Sequence, residues 1–167
     1  MSLHPTFPIN ITQDAKLLLT PCPGTQGACL SDSLQQLSFN NSAALITLMS
    51  KEELLANDLQ DLGKQATQFD LQWFHMPIID DEVPGAQWLS HWQVVLPRLK
   101  QLLNSGVNVT LHCKGGSGRT GLVAALLLLE YGFNIDDAIT LIKQLRPNAF
   151  SHPAQVDFVT QYQTSLS

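Results

Sequence analysis

The chain is 167 residues long, 44% hydrophobic and only 14% charged, a composition that builds one core and excludes a disordered polypeptide or a solvated coiled coil. Nine lysines and arginines against fourteen acids leave a net charge of -5, which excludes a broad electrostatic surface for nucleic acid or an anionic membrane, so an anionic ligand has to be held locally. The longest unbroken apolar run, residues 122–129, falls far short of the ~20 residues that cross a bilayer and reads as a core element.

In chain order, residues 16–20 and 44–49 are short apolar runs bounded by turn residues, and each reads as a strand. Ser50 followed three residues later by Glu53 is a capping box, the start of a helix. Residues 71–78 mix aromatic and branched side chains and form a third strand. Residues 87–103 repeat Trp88, Trp92, Val95, Leu96, Leu99 and Leu102 at helical spacing. A fourth strand spans residues 107–112, followed by an all-round apolar helix over 119–131, an amphipathic one over 135–145 stopped by Pro147, and a last helix after Pro153. Strands alternating with helices predict a mostly parallel sheet covered on both faces, in one domain over residues 1–167. Such sheets bind ligands at the carboxyl ends of their strands.

The first twenty residues carry no basic start, apolar stretch and cleavage site of the secretory kind, so a cytoplasmic protein is expected. Cys22, Cys29 and Cys113 are too few for a disulfide framework. Cys22 and Cys29 also lack the histidines or second cysteine pair that would complete a zinc site.

The chemistry concentrates in residues 112–121, His-Cys-Lys-Gly-Gly-Ser-Gly-Arg-Thr-Gly, between the fourth strand and the apolar helix. Gly115, Gly116 and Gly118 let the backbone curl with its N–H groups inward, and the helix adds the positive end of its dipole. Arg119 offers a planar fork of donors for two phosphate oxygens. Cys113 enters the same cradle, where these groups favour thiolate over thiol and make a nucleophile at neutral pH. The stretch from Gly116 to Gly121 also has the spacing of a dinucleotide-binding fingerprint, but only 46 residues follow and they read as helices without the strand that fold needs. A Walker loop would need a lysine where Arg119 stands. An inert buried cysteine ahead of a glycine turn leaves Arg119 unexplained.

A His-Cys pair, five residues, then Arg-Thr resembles the signature of the cysteine-dependent protein tyrosine and dual-specificity phosphatases. The resemblance extends back to Pro77-Ile-Ile-Asp-Asp-Glu-Val-Pro84, similar to the general-acid loop of compact members. It extends forward to Arg146-Pro147 and to Gln155-Val-Asp-Phe158, and the order of elements before Pro77 looks most like the kinase-associated phosphatase subgroup. It implies a three-layer fold with a sheet of four to five strands. It further implies that Cys113 forms a phosphocysteine, and that Lys114, Gly115, Gly116, Ser117, Gly118 and Arg119 hold the phosphate oxygens. Asp80 protonates the leaving oxygen and then serves as base, Thr120 assists the thiolate, and His112 orients the backbone around Cys113. Asp81 as the acid, or a plain solvated acidic turn before Pro84 and Gly85, are the alternatives to Asp80. Lys114 is a tuning residue at most. The remaining histidines share no metal-site spacing, and Trp73, Trp88 and Trp92 read as packing or cleft wall.

No phosphotyrosine-recognition loop precedes the second strand, and Ser151 stands four residues before Gln155, where tyrosine-specific members carry a glutamine. Both departures imply the dual-specificity type. The resemblance therefore implies no cofactor and no metal, a phosphorylated protein or peptide as partner, no nucleic acid, no membrane, and a monomer. A phosphoinositide substrate is the alternative, disfavoured because Ser117 stands where lipid-acting relatives carry a second lysine. A binding-only pseudophosphatase is the other, although Cys113, Arg119 and Asp80 are all present. For Cys22 and Cys29, a role as plain loop thiols is preferred over a protective disulfide with Cys113.

Overall fold

The structure is a computed structural model that describes residues 3–166. Five strands, β1 (Phe7–Asn10), β2 (Lys16–Thr20), β3 (Ser42–Thr47), β4 (Gln72–His75) and β5 (Asn108–His112), form one sheet in the order β1-β2-β5-β3-β4. β2, β5, β3 and β4 run parallel and β1 pairs antiparallel to β2 at one edge. The helices are α1 (Leu30–Phe39), α2 (Lys51–Ala56), α3 (Leu62–Gln68), α4 (Ala86–Asn104), α5 (Gly118–Glu130), α6 (Ile135–Leu145) and α7 (Pro153–Ser165). This is the three-layer α/β fold that the alternation of elements predicts.

Period-two alternation sends strand residues to two separate cores. Leu17, Leu19, Ile46, Val109 and Leu111 face one in which α4, α5, α6 and α7 pack, whereas Leu18 and Leu45 face a smaller one with Leu34, Leu37, Leu54 and Leu62 from α1, α2 and α3. Residues 122–129 are buried throughout, 6% exposed at most, because α5 runs between the sheet and α6 and α7. Each leucine so enclosed stabilises the fold by about 1.5–3 kcal/mol. Gly121 permits that packing, since a Cβ there would stand 3.0 Å from Ala149 Cβ and 3.1 Å from an Ile142 methyl.

Three elements escape the sequence patterns. β1 is four residues with only Ile9 buried, too short for alternation to register. α1 starts at Cys29, whose Sγ accepts from Asp32 N in place of the usual oxygen cap. α3 has no side-chain cap. The third strand is also shorter than the expected 71–78: after His75 the backbone leaves the sheet, although Met76 N still donates to Thr47 O and Ile78 N to Leu48 O.

Candidate active site

Sheet register creates the site. Thr20 of β2 and Thr47 of β3 both align with His112 of β5, so three adjacent parallel strands end level and their following loops converge. The 112–121 segment leaves the central strand at this edge, where open α/β sheets carry their ligands. Gly116 adopts φ +78°, and a Cβ on it would stand 2.5 Å from Thr20 C and Pro21 N; glycine is the residue that fits. Cys22 N donates to Lys114 O at 3.0 Å. From the other side Arg146 braces the curl, its Nη2 donating to Gly115 O at 2.7 Å and its Nε reaching Gly116 O and Ser117 Oγ at 3.2 Å, while its guanidinium lies 4.3 Å above the Phe7 ring.

Inside the curl, Cys113 Sγ accepts from Gly116 N at 3.3 Å and from Thr120 Oγ1 at 3.0 Å. Thr120 therefore turns its hydroxyl to sulfur and not to helix backbone. Behind Cys113 a chain of hydrogen bonds fixes His112: Trp73 Nε1–H donates to Thr47 Oγ1 at 2.7 Å, that hydroxyl pairs with His112 Nε2 at 2.7 Å, and His112 Nδ1 faces Cys113 O at 3.2 Å. With the Trp73 N–H occupying the threonine oxygen, the consistent assignment has Thr47 donating to Nε2 and Nδ1–H donating to the carbonyl. Burial brings the His112 pKa down to about 4 against the opposing effect of that carbonyl, so the ring is neutral at pH 7 and acts on the backbone.

Arg119 is 3% exposed. Its Nη1 is fully engaged, with Glu53 carboxylate oxygens at 2.8 and 3.0 Å, Ile78 O at 3.0 Å and Leu48 O at 3.3 Å. Its Nε is buried and makes no hydrogen bond, with Asp80 Oδ1 at 3.5 Å. Burial lowers the Arg119 pKa, but the Glu53 hydrogen bond and charge outweigh it and the net shift is upward. For Glu53, burial pushes upward while Arg119 and the Ser50 N–H pull harder, leaving the carboxyl below its ordinary value. The anchor belongs to the capping box: Glu53 Oε2 also accepts from Ser50 N at 2.8 Å. Sequence reasoning missed Glu53 as part of the site because its spacing to Ser50 was already explained by the helix start. Its partner lies 66 positions away.

Asp80 thus stands beside Arg119. Its Oδ1 also accepts from Asp81 N at 3.1 Å. Lys114 points away from the cradle, its Nζ on Asn57 Oδ1 at 2.8 Å. Gly115 is exposed, Ser117 receives Arg146, and Gly118 opens α5 opposite the buried Gln155 amide, a Cβ there standing 3.7 Å from its Nε2. Asp81 turns from the cleft to His152, Oδ1 to Nε2 3.1 Å. Trp88 and Trp92 stack at 5.3 Å, away from the cradle. Cys22 is buried and its thiol is pushed up to about 12, chiefly by desolvation, whereas Cys29 is exposed.

A thiol beside a glycine curl, with a buried arginine keeping one donor unspent at the carboxyl edge of a parallel sheet, places the protein in the cysteine-based tyrosine and dual-specificity phosphatase superfamily. Within it, the family model described as "Polymorphic toxin system, DSP-PTPase phosphatase" matches residues 23–133, and the chain belongs to that family. Among curated proteins, it is 28% identical over 94 residues to the tyrosine-protein phosphatase CDC14 of Candida albicans, covering 56% of this chain and 17% of that one. It is 31% identical over 96 residues to the mouse protein tyrosine phosphatase type IVA 2, covering 58% of this chain and 54% of the relative. The chain thus spans from under a fifth to about half of these relatives. In fold it matches a crystal structure of kinase associated phosphatase bearing serine for its catalytic-site cysteine, with TM-score 0.86 and 20% identity over 99% of this chain and 97% of that one.

Proposed function

We propose that this single domain hydrolyses phosphate monoesters on protein tyrosine, and on serine or threonine, through a phosphocysteine and without a metal. The observation that carries the reading is the unspent donor: Arg119 Nε is buried without a hydrogen bond next to the cradle that holds Cys113. A buried charged donor with no hydrogen bond, and only the Asp80 carboxylate at 3.5 Å, is costly unless a ligand completes it. A tetrahedral phosphoryl group seated among the loop amides supplies the missing acceptor.

In the first step Cys113 Sγ attacks phosphorus in line, the bond from phosphorus to the ester oxygen breaks, and Asp80 gives that oxygen its proton. The loop amides and the Arg119 fork stabilise charge on the equatorial oxygens, with the fork preset by Glu53 so that little reorganisation is needed. In the second step Asp80 takes a proton from water, which attacks phosphorus and expels the Cys113 thiolate. The Thr120 hydroxyl, already 3.0 Å from sulfur, donates to the departing anion. All these groups come from one chain, consistent with a monomer. Three free cysteines fit the reducing cytoplasm, and the net charge of -5 favours a phosphoprotein over a polyphosphorylated lipid headgroup.

Release of p-nitrophenol from its phosphate in EDTA, blocked by vanadate and absent in Cys113→Ser, is the expected result; phosphopeptide and phosphoinositide panels then rank the substrates. Folded protein that captures phosphopeptides without releasing phosphate would make it a binding module instead. Higher activity on phosphoinositides than on phosphopeptides would make the lipid its substrate.

A further inference from the structure

Asp81 occupies a conformation that a side chain other than glycine adopts at a cost: its φ is +64°, in the left-handed region where Asp and Asn are the better-tolerated residues. The strained residue closes a turn, with Glu82 N donating to Ile79 O at 3.0 Å, and it projects Asp80 inward and its own carboxylate outward. The entry to this loop is firmly held, since Met76 O accepts from Trp88 Nε1 at 3.0 Å and Ile78 is bonded through both N and O. The tip is not: Ile79 is 70% exposed. Beyond the approach of Asp80 to Arg119, the side-chain tie from this tip to another element among the described residues is Asp81 Oδ1 to His152 Nε2, at 3.1 Å.

His152 caps the start of α7, and that start is itself fixed to the cradle. Gln155, three residues on, is 2% exposed and lies opposite Gly118, while Ala149, three residues before His152, packs on Gly121. The hydrogen bond therefore joins the loop that carries the acid to the element seated against the loop that carries the nucleophile. We infer that Asp81 and His152 are a positioning pair, which fastens the acid loop to the amino end of α7 and keeps Asp80 over Cys113. The inference rests on the phosphatase reading above, and gives Asp81 a role other than the proton donor.

Leaving-group dependence of kcat/KM tests it, because that ratio reports the steps up to phosphocysteine formation, where Asp80 matters only if the leaving oxygen needs a proton, and leaves out the later hydrolysis, where Asp80 acts as base for every ester. Two esters are compared: phenyl phosphate, whose phenolate leaves poorly, and 6,8-difluoro-4-methylumbelliferyl phosphate, whose phenol is acidic enough to leave unprotonated. His152→Ala and Asp81→Gly are expected to lower kcat/KM on phenyl phosphate by about two- to fivefold, the reach of one exposed hydrogen bond, with no change in kcat/KM on the fluorinated ester. Asp81→Gly retains the turn, so its loss reports the contact and not the backbone. Asp81→Asn, which keeps the left-handed preference and the acceptor, is expected to retain wild-type turnover. The double variant is expected to match either single one.

Equal effects on both esters, additive losses, or wild-type turnover by His152→Ala would overturn the pair while leaving the phosphatase intact, provided Asp80→Ala still shows the leaving-group effect. A larger loss in Asp81→Asn than in Asp80→Ala would overturn it too, by making Asp81 the acid. Absence of wild-type turnover on both esters would remove the phosphatase reading and the pair together.

Discussion

Cys113, Gly116, Arg119 and Thr120 of the cradle are buried, whereas Ile79, Asp80, Asp81 and Glu82 at the tip of the acid loop are exposed, and the two segments meet at the Arg119 guanidinium. The cradle is over-determined: β5 feeds it, α5 leaves it, Arg146 braces its carbonyls and the chain from Trp73 through Thr47 fixes His112 beneath it. The acid loop is held at its entry and lightly at its tip. A nucleophile and an anion site gain from preorganisation, since any misplacement is a direct loss of transition-state stabilisation. An acid that must admit a substrate before it covers it gains from a tip that a few weak contacts can release.

If that contrast holds, the largest effect comes from within the cradle. Arg119→Lys retains the charge but loses the planar fork, and the ammonium cannot hold Glu53 while also replacing the Nε donor. The expected loss in kcat is about 10³-fold with the fold retained, the upper range for removing a preorganised oxyanion donor. A variant within tenfold of wild type on p-nitrophenyl phosphate would show that the buried fork is structural.

Acid should weaken the support beneath the cradle. His112 titrates at about 4 in the folded protein against about 6.5 unfolded, so the unfolded chain takes the proton first. Stability is complete above about pH 6.5, declines as pH falls towards 4 and levels off below it, the total for this one ring being roughly 3 kcal/mol. Glu53, lowered by Arg119 and Ser50, adds to the loss in the same direction as it protonates. Thermal melts between pH 7 and pH 4 should therefore slope less for His112→Asn than for wild type; parallel slopes would assign the acid sensitivity elsewhere.

For the loop, Asp80→Asn is expected to lower kcat on phenyl phosphate about 10²-fold, the lower range for general acid catalysis, with Asp81→Asn near wild type. Equal losses in the two variants would undo the division of labour between the neighbouring carboxylates.

The same contrast separates what the sequence disclosed from what it withheld. The cradle is contiguous: Cys113, the glycines and Arg119 all lie within ten residues, between a strand and a helix whose periods are plain. Local geometry and local chemistry were therefore readable together. Glu53, Arg146, Trp73 and His152 reach the site through contacts 29 to 71 positions apart or through intermediates; Glu53 and Trp73 already had a sufficient local explanation as helix cap and packing, Arg146 entered only through the resemblance, and His152 had no spacing that singled it out. The elements missed in the fold share that cause, β1 and α3 being too short for periodicity and α1 beginning on a sulfur cap.

Glu53 sharpens the comparison most finely, because it serves the fold and the site with the same carboxylate. Glutamine at the third helical position still completes a capping box, so Glu53→Gln should leave the α2 cap in place and lose only the part of the stability at pH 7 that the ionised carboxylate supplies through Arg119. It keeps an acceptor for Arg119 Nη1 but removes the charge that holds the guanidinium in its fork. An arginine that is less firmly placed loses catalysis, and a fall in kcat of about tenfold is expected, equivalent to about 1.4 kcal/mol. Glu53→Ala removes the cap as well and should add about 1 kcal/mol of destabilisation. Kinetics and melting of the two variants side by side then apportion the residue between its roles: if Gln and Ala are equally slow but Ala melts earlier than Gln, the charge acts on the cradle and the cap on the helix.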